Sequence, residues 1–159
     1  MDPLFELGLL IKAGQRDFER RTNEAMRPLG LTAAQADAIT VIRQAGPLSL
    51  KELGELLIAE AGHPSRLVDR LVDAELVERR SAEDDRRRIV LSLTAKGRHL
   101  EKRIEAAREQ QLELGHALIG ERDLEPALDL LRELAQFSPY EELINRRREL
   151  YEGQRAGTG

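Results

Sequence analysis

Residues 66–97 of this chain contain seven arginines, five of which fall in two groups. Arg66 and Arg70 stand one helical turn apart, and three consecutive arginines occupy positions 86–88. A guanidinium group presents its N–H donors as a planar fork, which matches the oxygens of a phosphate and the acceptor edge of guanine. Residues 79–103 hold nine Lys or Arg against four Asp or Glu, a local net charge of +5, although the whole chain carries −4. The local charge therefore favours an anionic partner such as nucleic acid.

A helix and a hairpin must position these arginines. The segment from Pro64 to Ala74 is predicted to be an amphipathic helix, with proline in its first turn and apolar side chains confined to one face. The opposite face carries His63, Ser65, Arg66, Asp69, Arg70 and Asp73. Val77–Arg80 and Ile89–Leu93 have the composition of two strands, so 81–88 forms the polar tip of a hairpin. An arginine-bearing helix beside an arginine-tipped hairpin is typical of a winged helix-turn-helix, in which the helix enters the DNA major groove and the hairpin reaches the neighbouring minor groove.

Capping residues predict the other helices. Thr32 with Gln35 and Ser49 with Glu52 each form a capping box ahead of apolar residues at helical spacing. Thr94 caps a long helix whose apolar residues recur at steps of three and four, a stripe narrow enough to require a partner helix. The predicted helices run from Leu4 to Met26, from Thr32 to the Gly46-Pro47 breaker, from Leu50 to about Ala59, from Pro64 to Ala74, from Thr94 to about residue 119, from Arg122 to Ala135, and onward from Ser138-Pro139. The predicted fold class is therefore mainly α with a small β-hairpin wing.

Composition restricts the class of protein. A chain of 159 residues with 41% hydrophobic and 34% charged residues is the size of one domain and has the balance of a soluble globular protein. The sequence contains no cysteine, which excludes disulfides and thiolate metal ligands. The sequence shows neither a secretory signal nor an apolar run long enough to cross a bilayer, so we expect a cytoplasmic protein without a membrane partner.

Four motifs carry a resemblance to a known family. They are RLVDRL at 66–71, LVERR at 76–80, DDRRR at 84–88 and LSLTAKG at 91–97. Together with the order of the helices, they resemble the MarR family of bacterial transcriptional regulators over nearly the whole chain, most closely at 31–97. The family's Asp-x-Arg hairpin signature falls on Asp85 and Arg87. The chain departs from the family at Arg88, where a small residue is common, and at 60–64, where Ser and Thr are commoner.

The resemblance implies a homodimeric regulator, most often a repressor, that binds a pseudo-palindromic operator and responds to a small molecule. The implied domains are a winged helix-turn-helix module at 31–97, a long connecting helix at 98–119, and dimerisation helices at 1–30 and 120–151. The Gly-rich end, 152–159, is predicted to be a disordered tail. Candidate dimer contacts are Leu4, Leu7, Ile11, Tyr140, Leu143, Ile144 and Leu150. Phe18 is a candidate ligand contact, in a crevice between the long helix and the first two helices.

Position in a winged fold assigns roles to the polar residues of the recognition helix. His63, Ser65 and Arg66 lie at its start and are predicted to be nearest the base edges, while Arg70 reaches base or phosphate. Asp69 either accepts a hydrogen bond from a cytosine amino group or, as we favour, orients Arg66 or Arg70. The alternative for the whole face is a solvated surface with ion pairs within the helix.

The hairpin residues have two interpretations as well. Arg86, Arg87 and Arg88 are predicted to enter a narrow minor groove or to contact phosphate, with Asp85 pairing with Arg87 to hold the hairpin shape. The alternative is a solvated hairpin in which the preceding acids neutralise the arginines. The signature and its helix–strand–hairpin context favour the DNA-binding interpretation.

The sequence offers little support for a metal site or for catalysis. His99 and His116 are seventeen residues apart on one helix, which separates them by roughly 25 Å, and His63 lies far from both in the sequence. We found neither a nucleophile elbow, nor a phosphate-binding glycine loop, nor an HExxH helix in the sequence, so we expect no enzyme, no metal and no cofactor. Two other functions remain open: an architectural or protein-binding winged helix, and a regulator that binds metal across a dimer.

Overall fold

The computed structural model describes residues 1–58, 64–82, 85 and 87–157. These residues form seven α-helices, a 3₁₀ turn and one two-stranded antiparallel sheet. The elements are α1 (Pro3–Met26), the 3₁₀ turn Arg27–Leu29, α2 (Ala33–Ala45), α3 (Leu50–Leu56), α4 (Pro64–Asp73), β1 (Val77–Ser81), β2 (Ile89–Leu93), α5 (Ala95–Ile119), α6 (Glu125–Gln136) and α7 (Glu141–Gly157). The predicted class, mainly α with a small hairpin, is confirmed. None of the described helices is long and apolar enough to cross a membrane.

The predicted helix caps form as hydrogen bonds. Gln35 donates its backbone N–H to the Thr32 hydroxyl over 3.2 Å, and its side-chain oxygen accepts the Thr32 N–H over 2.9 Å. Glu52 and Ser49 make the same reciprocal pair at 3.2 and 2.7 Å. The Thr94 hydroxyl accepts an N–H from the first turn of α5 over 3.0 Å. Each of these contacts satisfies an N–H that has no partner within its helix, so the local sequence sets where α2, α3 and α5 begin.

The hydrophobic core lies between α2, α3, α4 and the sheet. Its buried side chains come from all of these elements: Ile39, Val41, Leu53, Val68, Leu71, Val77 and Leu91. Met26 at the end of α1 and Ile104 in α5 belong to the same cluster. Backbone hydrogen bonds of 2.7 and 3.3 Å join Leu48, just before α3, to Leu91 in β2. The helices and the hairpin of the winged module therefore share one core.

Two boundaries differ from the sequence prediction. Helix α3 ends at Leu56 instead of near Ala59, because Leu57 adopts an extended backbone with φ −98° and ψ 126°; Ala59 lies outside the described residues. Helix α7 continues to Gly157, so the predicted disordered tail at 152–159 is wrong for the residues that α7 covers. A single glycine inside a helix costs only about 1 kcal/mol relative to alanine and does not by itself end the helix.

Apolar side chains remain exposed on three helices of the single chain. They are Leu4, Phe5, Leu9, Leu10, Ile11 and Phe18 on α1, Leu112, Leu114 and Leu118 on α5, and Leu128, Leu130, Leu131 and Leu134 on α6. None of the α6 side chains is buried. That helix begins at Glu125 instead of Arg122, since the Asp123 carboxylate accepts the Glu125 N–H over 3.0 Å. Many exposed apolar side chains on a single chain are typical of a surface that another molecule covers.

Two of the predicted dimer contacts are already engaged within the chain. Leu143 is buried, and Leu150 packs against the core, because α7 folds back onto α2 and α3. Leu4, Ile11 and Tyr140 are exposed, as a contact with a second copy requires. Their role in a dimer stays a prediction.

Gly97 allows α5 to approach the turn between α4 and β1. A Cβ at this position would overlap the carbonyl oxygen of Leu76. The same carbonyl accepts the backbone N–H of Thr94 over 3.1 Å, so it cannot move away without losing a hydrogen bond at the start of α5. Only glycine therefore fits here without moving α5 away from the winged module.

We predict that Gly97→Ala lowers the free energy of unfolding by about 3 kcal/mol, because the added methyl group meets backbone atoms. Gly115→Ala on the same helix is the matched control, since nothing lies within 4 Å of a Cβ at that position. The control is expected to be neutral or to stabilise the protein by up to about 1 kcal/mol through helix propensity. Urea unfolding of both variants measures the difference. Equal effects of the two substitutions would contradict the close contact.

Candidate nucleic-acid interface

Helix α4 turns its polar face to solvent. Val68 and Leu71 are buried in the core, while Arg66, Asp69 and Arg70 are exposed. The predicted division of the helix into an apolar and a charged face is therefore confirmed for these residues. Two guanidinium groups one helical turn apart are thus free of the core and accessible to an anionic partner.

An ion pair joins α4 to β1. The Arg79 guanidinium donates to the Asp69 carboxylate over 2.6 Å. The sequence prediction that Asp69 orients Arg66 or Arg70 is therefore wrong about the partner, because the packing of β1 against α4 brings Arg79 beside the helix. Both side chains are about half exposed, so the pair contributes at most about 1 kcal/mol to folding. Its effect is geometric, since it joins α4 to the hairpin on their shared surface.

Asp85 shapes the tip of the hairpin. Its carboxylate accepts the backbone N–H of Arg87 over 2.9 Å, and its carbonyl oxygen accepts the N–H of Arg88 over 3.0 Å. Ala82 donates its N–H to the Arg88 carbonyl oxygen over 2.8 Å, just beyond the last pair of the β1–β2 ladder. The predicted pairing of Asp85 with Arg87 thus exists, but through the backbone, as in an Asx turn. The exposed Arg87 side chain is not needed for this contact and can face a ligand.

Arg88 lies close to α3 of the same chain. Hydrogen bonds from the Ser49 N–H and hydroxyl hold the pKa of the Glu52 carboxyl below its usual range, and the positive charges of Arg88 and Arg146 lower it further. Arg88 on the hairpin and Glu52 on α3 therefore interact electrostatically. The side chains of Arg87 and Arg88 are both exposed, and their predicted contacts with DNA stay predictions.

A second ion cluster joins three helices. The guanidinium of Arg147 in α7 meets the Asp37 carboxylate of α2 through two contacts of 2.8 and 3.4 Å. Arg108 of α5 approaches the same carboxylate at 3.5 Å. Burial lowers the pKa of Arg108, Asp37 opposes that shift, and the charge of Arg147 adds to it. The sequence alone does not reveal this cluster, because Asp37 lies 71 positions from Arg108 and 110 positions from Arg147. An acid flanked by alanines in α2 was the one available signal.

Four further predicted site residues lie outside the described residues, are half-buried, or lie on a helix other than α4. His63 and Arg86 lie outside the described residues. Ser65 is half-buried in the first turn of α4. Phe18 is 71% exposed on α1, and it does not line the open groove between α2, α3 and α7. Within the part of the chain that the structure describes, no three potential metal ligands lie together.

Known proteins match this chain in sequence and in fold. A family model described as a winged helix DNA-binding domain matches residues 31–97. The Escherichia coli multiple antibiotic resistance protein MarR is 35% identical over 94 residues, which are 59% of this chain and 65% of that protein. The Bacillus subtilis HTH-type transcriptional repressor MdtR is 27% identical over 125 residues, 79% of this chain and 81% of that protein. The match to the first of these relatives thus spans slightly less than two thirds of its length.

A solved structure extends the comparison. A mutant of Escherichia coli MarR, complexed with operator DNA, superposes with a TM-score of 0.69 at 29% sequence identity. The superposition covers 86% of this chain and 96% of that one. The likeness therefore includes helices outside the winged module as well as the module itself.

We predict that Asp85→Ala lowers the free energy of unfolding by about 1 kcal/mol, because the Arg87 N–H loses its acceptor at the hairpin tip. Asp85→Asn keeps a side-chain oxygen at the same place and is expected to stay within a few tenths of a kcal/mol of the parent. Chemical denaturation of the two variants separates the turn contact from the charge. If both variants lost the same stability, the charge of Asp85 and not its acceptor would be responsible.

Proposed function

We propose that this chain, which carries a winged helix DNA-binding domain and is homologous to MarR and related regulators, is a transcriptional regulator that binds double-stranded DNA sequence-specifically as a homodimer. One observation carries the proposal. Arg66 and Arg70 on α4 and Arg87 on the hairpin are exposed on two elements that the Asp69–Arg79 ion pair holds together. A helix and a wing in a fixed relation can engage neighbouring grooves of one duplex.

In this mechanism α4 lies in the major groove. Its buried residues Val68 and Leu71 must stay against the core, so the face that carries Arg66 is the one available to base edges. A guanidinium donates to O6 and N7 of guanine in a bidentate contact, which distinguishes one base from the others. Arg87 at the hairpin meets phosphates or a narrow minor groove, where the potential is most negative. The helix then supplies sequence preference, and the hairpin supplies register and affinity.

A homodimer accounts for the exposed leucines of α5 and α6. Leu114 and Leu118 on α5, with Leu128 and Leu131 on α6, form apolar surface that a second copy would cover. Two copies related by a two-fold axis present two α4 helices to one face of the duplex. The recognised DNA is then an inverted repeat with half-site centres about 34 Å apart, one helical turn of DNA.

We further propose the direction of regulation, the place of action and the control by a small molecule. The regulator represses transcription, as the name of its relative MdtR states for that protein. It acts in the cytoplasm, where its DNA lies. A small molecule changes its DNA affinity by binding in the crevice between α5 and the first two helices, near Phe18. The second and third points rest on the family resemblance.

Selection of duplexes from a random pool by the purified chain tests the proposal. We expect enrichment of one inverted repeat, because a symmetric dimer reads the same half-site twice. Binding that depends steeply on salt but enriches no sequence would instead indicate an architectural protein. Loss of the selected binding on addition of a chelator would indicate the metal-responsive alternative.

We predict different losses for the helix and the hairpin. Arg66→Ala should weaken binding to the selected duplex by about 1–3 kcal/mol and binding to random DNA much less. Arg87→Ala should weaken both and reduce the salt slope by about one unit, because it removes a phosphate contact. Fluorescence anisotropy on both duplexes across a salt series measures these effects. Arg16→Ala on the exposed surface of α1 is the control for loss of one charge. If Arg66→Ala lost the same binding free energy on both duplexes, Arg66 would not distinguish one base from another.

We predict that Leu131→Glu weakens the dimer without unfolding the protomer. Leu131 is 44% exposed in the single chain, so a charge there disturbs little within it but would be buried between two copies. Gln136→Glu, at an exposed position five residues further along α6, is the control for the added charge. Sedimentation velocity over a concentration series measures the association. A dimer of unchanged strength in the Leu131 variant would place the interface elsewhere.

A further inference from the structure

Arg147 fastens α7 to the helix-turn-helix at two points. One is the Asp37 carboxylate of α2, at 2.8 and 3.4 Å. The other is the backbone carbonyl oxygen of Leu56 in α3, which accepts from the same guanidinium over 3.4 Å. The Arg147 side chain is only 27% exposed, so these contacts are partly shielded from water. A fork of donors with two acceptors on two helices fixes one helix relative to the other.

The Leu56 carbonyl oxygen needs a hydrogen-bond donor from outside α3. Leu56 is the last residue of α3. The carbonyl oxygens of the last helical turn receive no hydrogen bond from an N–H of their own helix. Helix α3 has seven residues, a length at which a helix is not stable by itself. Its end is therefore held by packing and by Arg147, which donates to a carbonyl that the helix leaves unsatisfied.

The position of α3 is passed on to α4 by direct contact. A Cβ on Gly54 would lie 3.2 Å from the Cγ atom of Pro64, the first residue of α4. Because Gly54 has no Cβ, the backbone of α3 itself packs beside Pro64, and a movement of α3 toward α4 would displace the first turn of the recognition helix. That turn carries Ser65 and Arg66, the described residues predicted to lie nearest the bases.

We propose that Arg147 is a positioning residue for the recognition helix, and that α7 is thereby a working part of the DNA-binding module. Arg147 holds the end of α3 against α2, and α3 in turn holds the first turn of α4. The proposal rests on the proposed function of α4 as the DNA-reading helix. It assigns to the C-terminal helix a role that a dimerisation helix alone would not have.

The charge balance of the cluster makes Arg147 suitable for mutation. When Arg147 is removed, Arg108 still faces the Asp37 carboxylate at 3.5 Å, so no half-buried acid is left without a cation. Removing Asp37 instead would leave two half-buried guanidinium groups facing each other, which is a larger penalty. Arg147 variants are thus expected to keep the fold.

Three variants of the full chain test the proposal. Arg147→Ala removes the contacts, and Arg147→Lys keeps the charge but replaces the planar fork with a single ammonium group. Arg148→Ala, at the exposed next position of α7, removes the same charge without touching Asp37 or Leu56. Amide hydrogen exchange is measured without DNA, and affinity is measured on the duplex selected by the parent protein.

We expect Arg147→Ala to speed amide exchange in α3 and in the first turn of α4, and to weaken binding to the selected duplex about tenfold. Arg147→Lys should show the same changes to a smaller extent, and Arg148→Ala should match the parent in both measurements. If the alanine variant failed to fold, the lysine variant would carry the test, since it retains the stem and the charge.

Two outcomes would overturn the proposal. One is parental exchange in α3 and α4 of Arg147→Ala, whatever its DNA affinity. The other is an equal loss of affinity in Arg147→Ala and Arg148→Ala, which would show a general effect of charge. If the parent itself preferred no duplex, the proposed function would fail, while the exchange measurements would still decide whether Arg147 positions α3 and α4.

Discussion

The orientation of α4 about its own axis depends on the burial of Val68 and Leu71 in the core. Each fully buried aliphatic side chain of this size contributes about 1.5–3 kcal/mol. The exposed Asp69–Arg79 ion pair contributes at most about 1 kcal/mol. Any rotation that turned Arg66 inward would expose these apolar side chains, so apolar burial keeps the charged face outward. The surface proposed to read DNA is thus set by residues that never touch it.

Weaker polar contacts add to this packing and orient α4, the hairpin and α3 relative to their neighbours. The Asp69–Arg79 pair joins α4 to β1, and the Asp85 carboxylate shapes the hairpin tip. Arg147 holds the end of α3, from which the chain passes toward α4. Individually these contacts add little to the free energy of folding because each is partly solvated. Their directionality matters more than their strength, since a recognition helix displaced by a fraction of a hydrogen-bond length loses its base contacts.

Helix α5 runs from the core of the winged module to the exposed apolar surface proposed to meet a second copy. Ile104 near its middle is buried in the core of the winged module, while Leu118 near its end is exposed among the apolar residues proposed to meet a second copy. Gly97 at its start lets the helix pack against the turn that follows α4. A continuous helix transmits orientation along its length, so the geometry of a dimer would set the distance between two recognition helices.

The sequence by itself determined the features whose cause lies within a few residues. Both capping boxes and the division of α4 into two faces follow from residues three or four positions apart. The hairpin follows from two short strands that are neighbours in the sequence. The role of Asp85 was also local, although its partner proved to be a backbone N–H instead of a guanidinium.

Only the tertiary structure decided which distant groups meet. Asp69 pairs with Arg79 because β1 packs against α4, and Asp37 meets Arg147 because α7 folds back across the chain. The same return of α7 buries Leu143, a side chain that its helical pattern alone would equally allow in a dimer interface. The sequence of an amphipathic helix predicts that its apolar face will be covered. What covers that face depends on how all the helices pack, and no single segment contains that information.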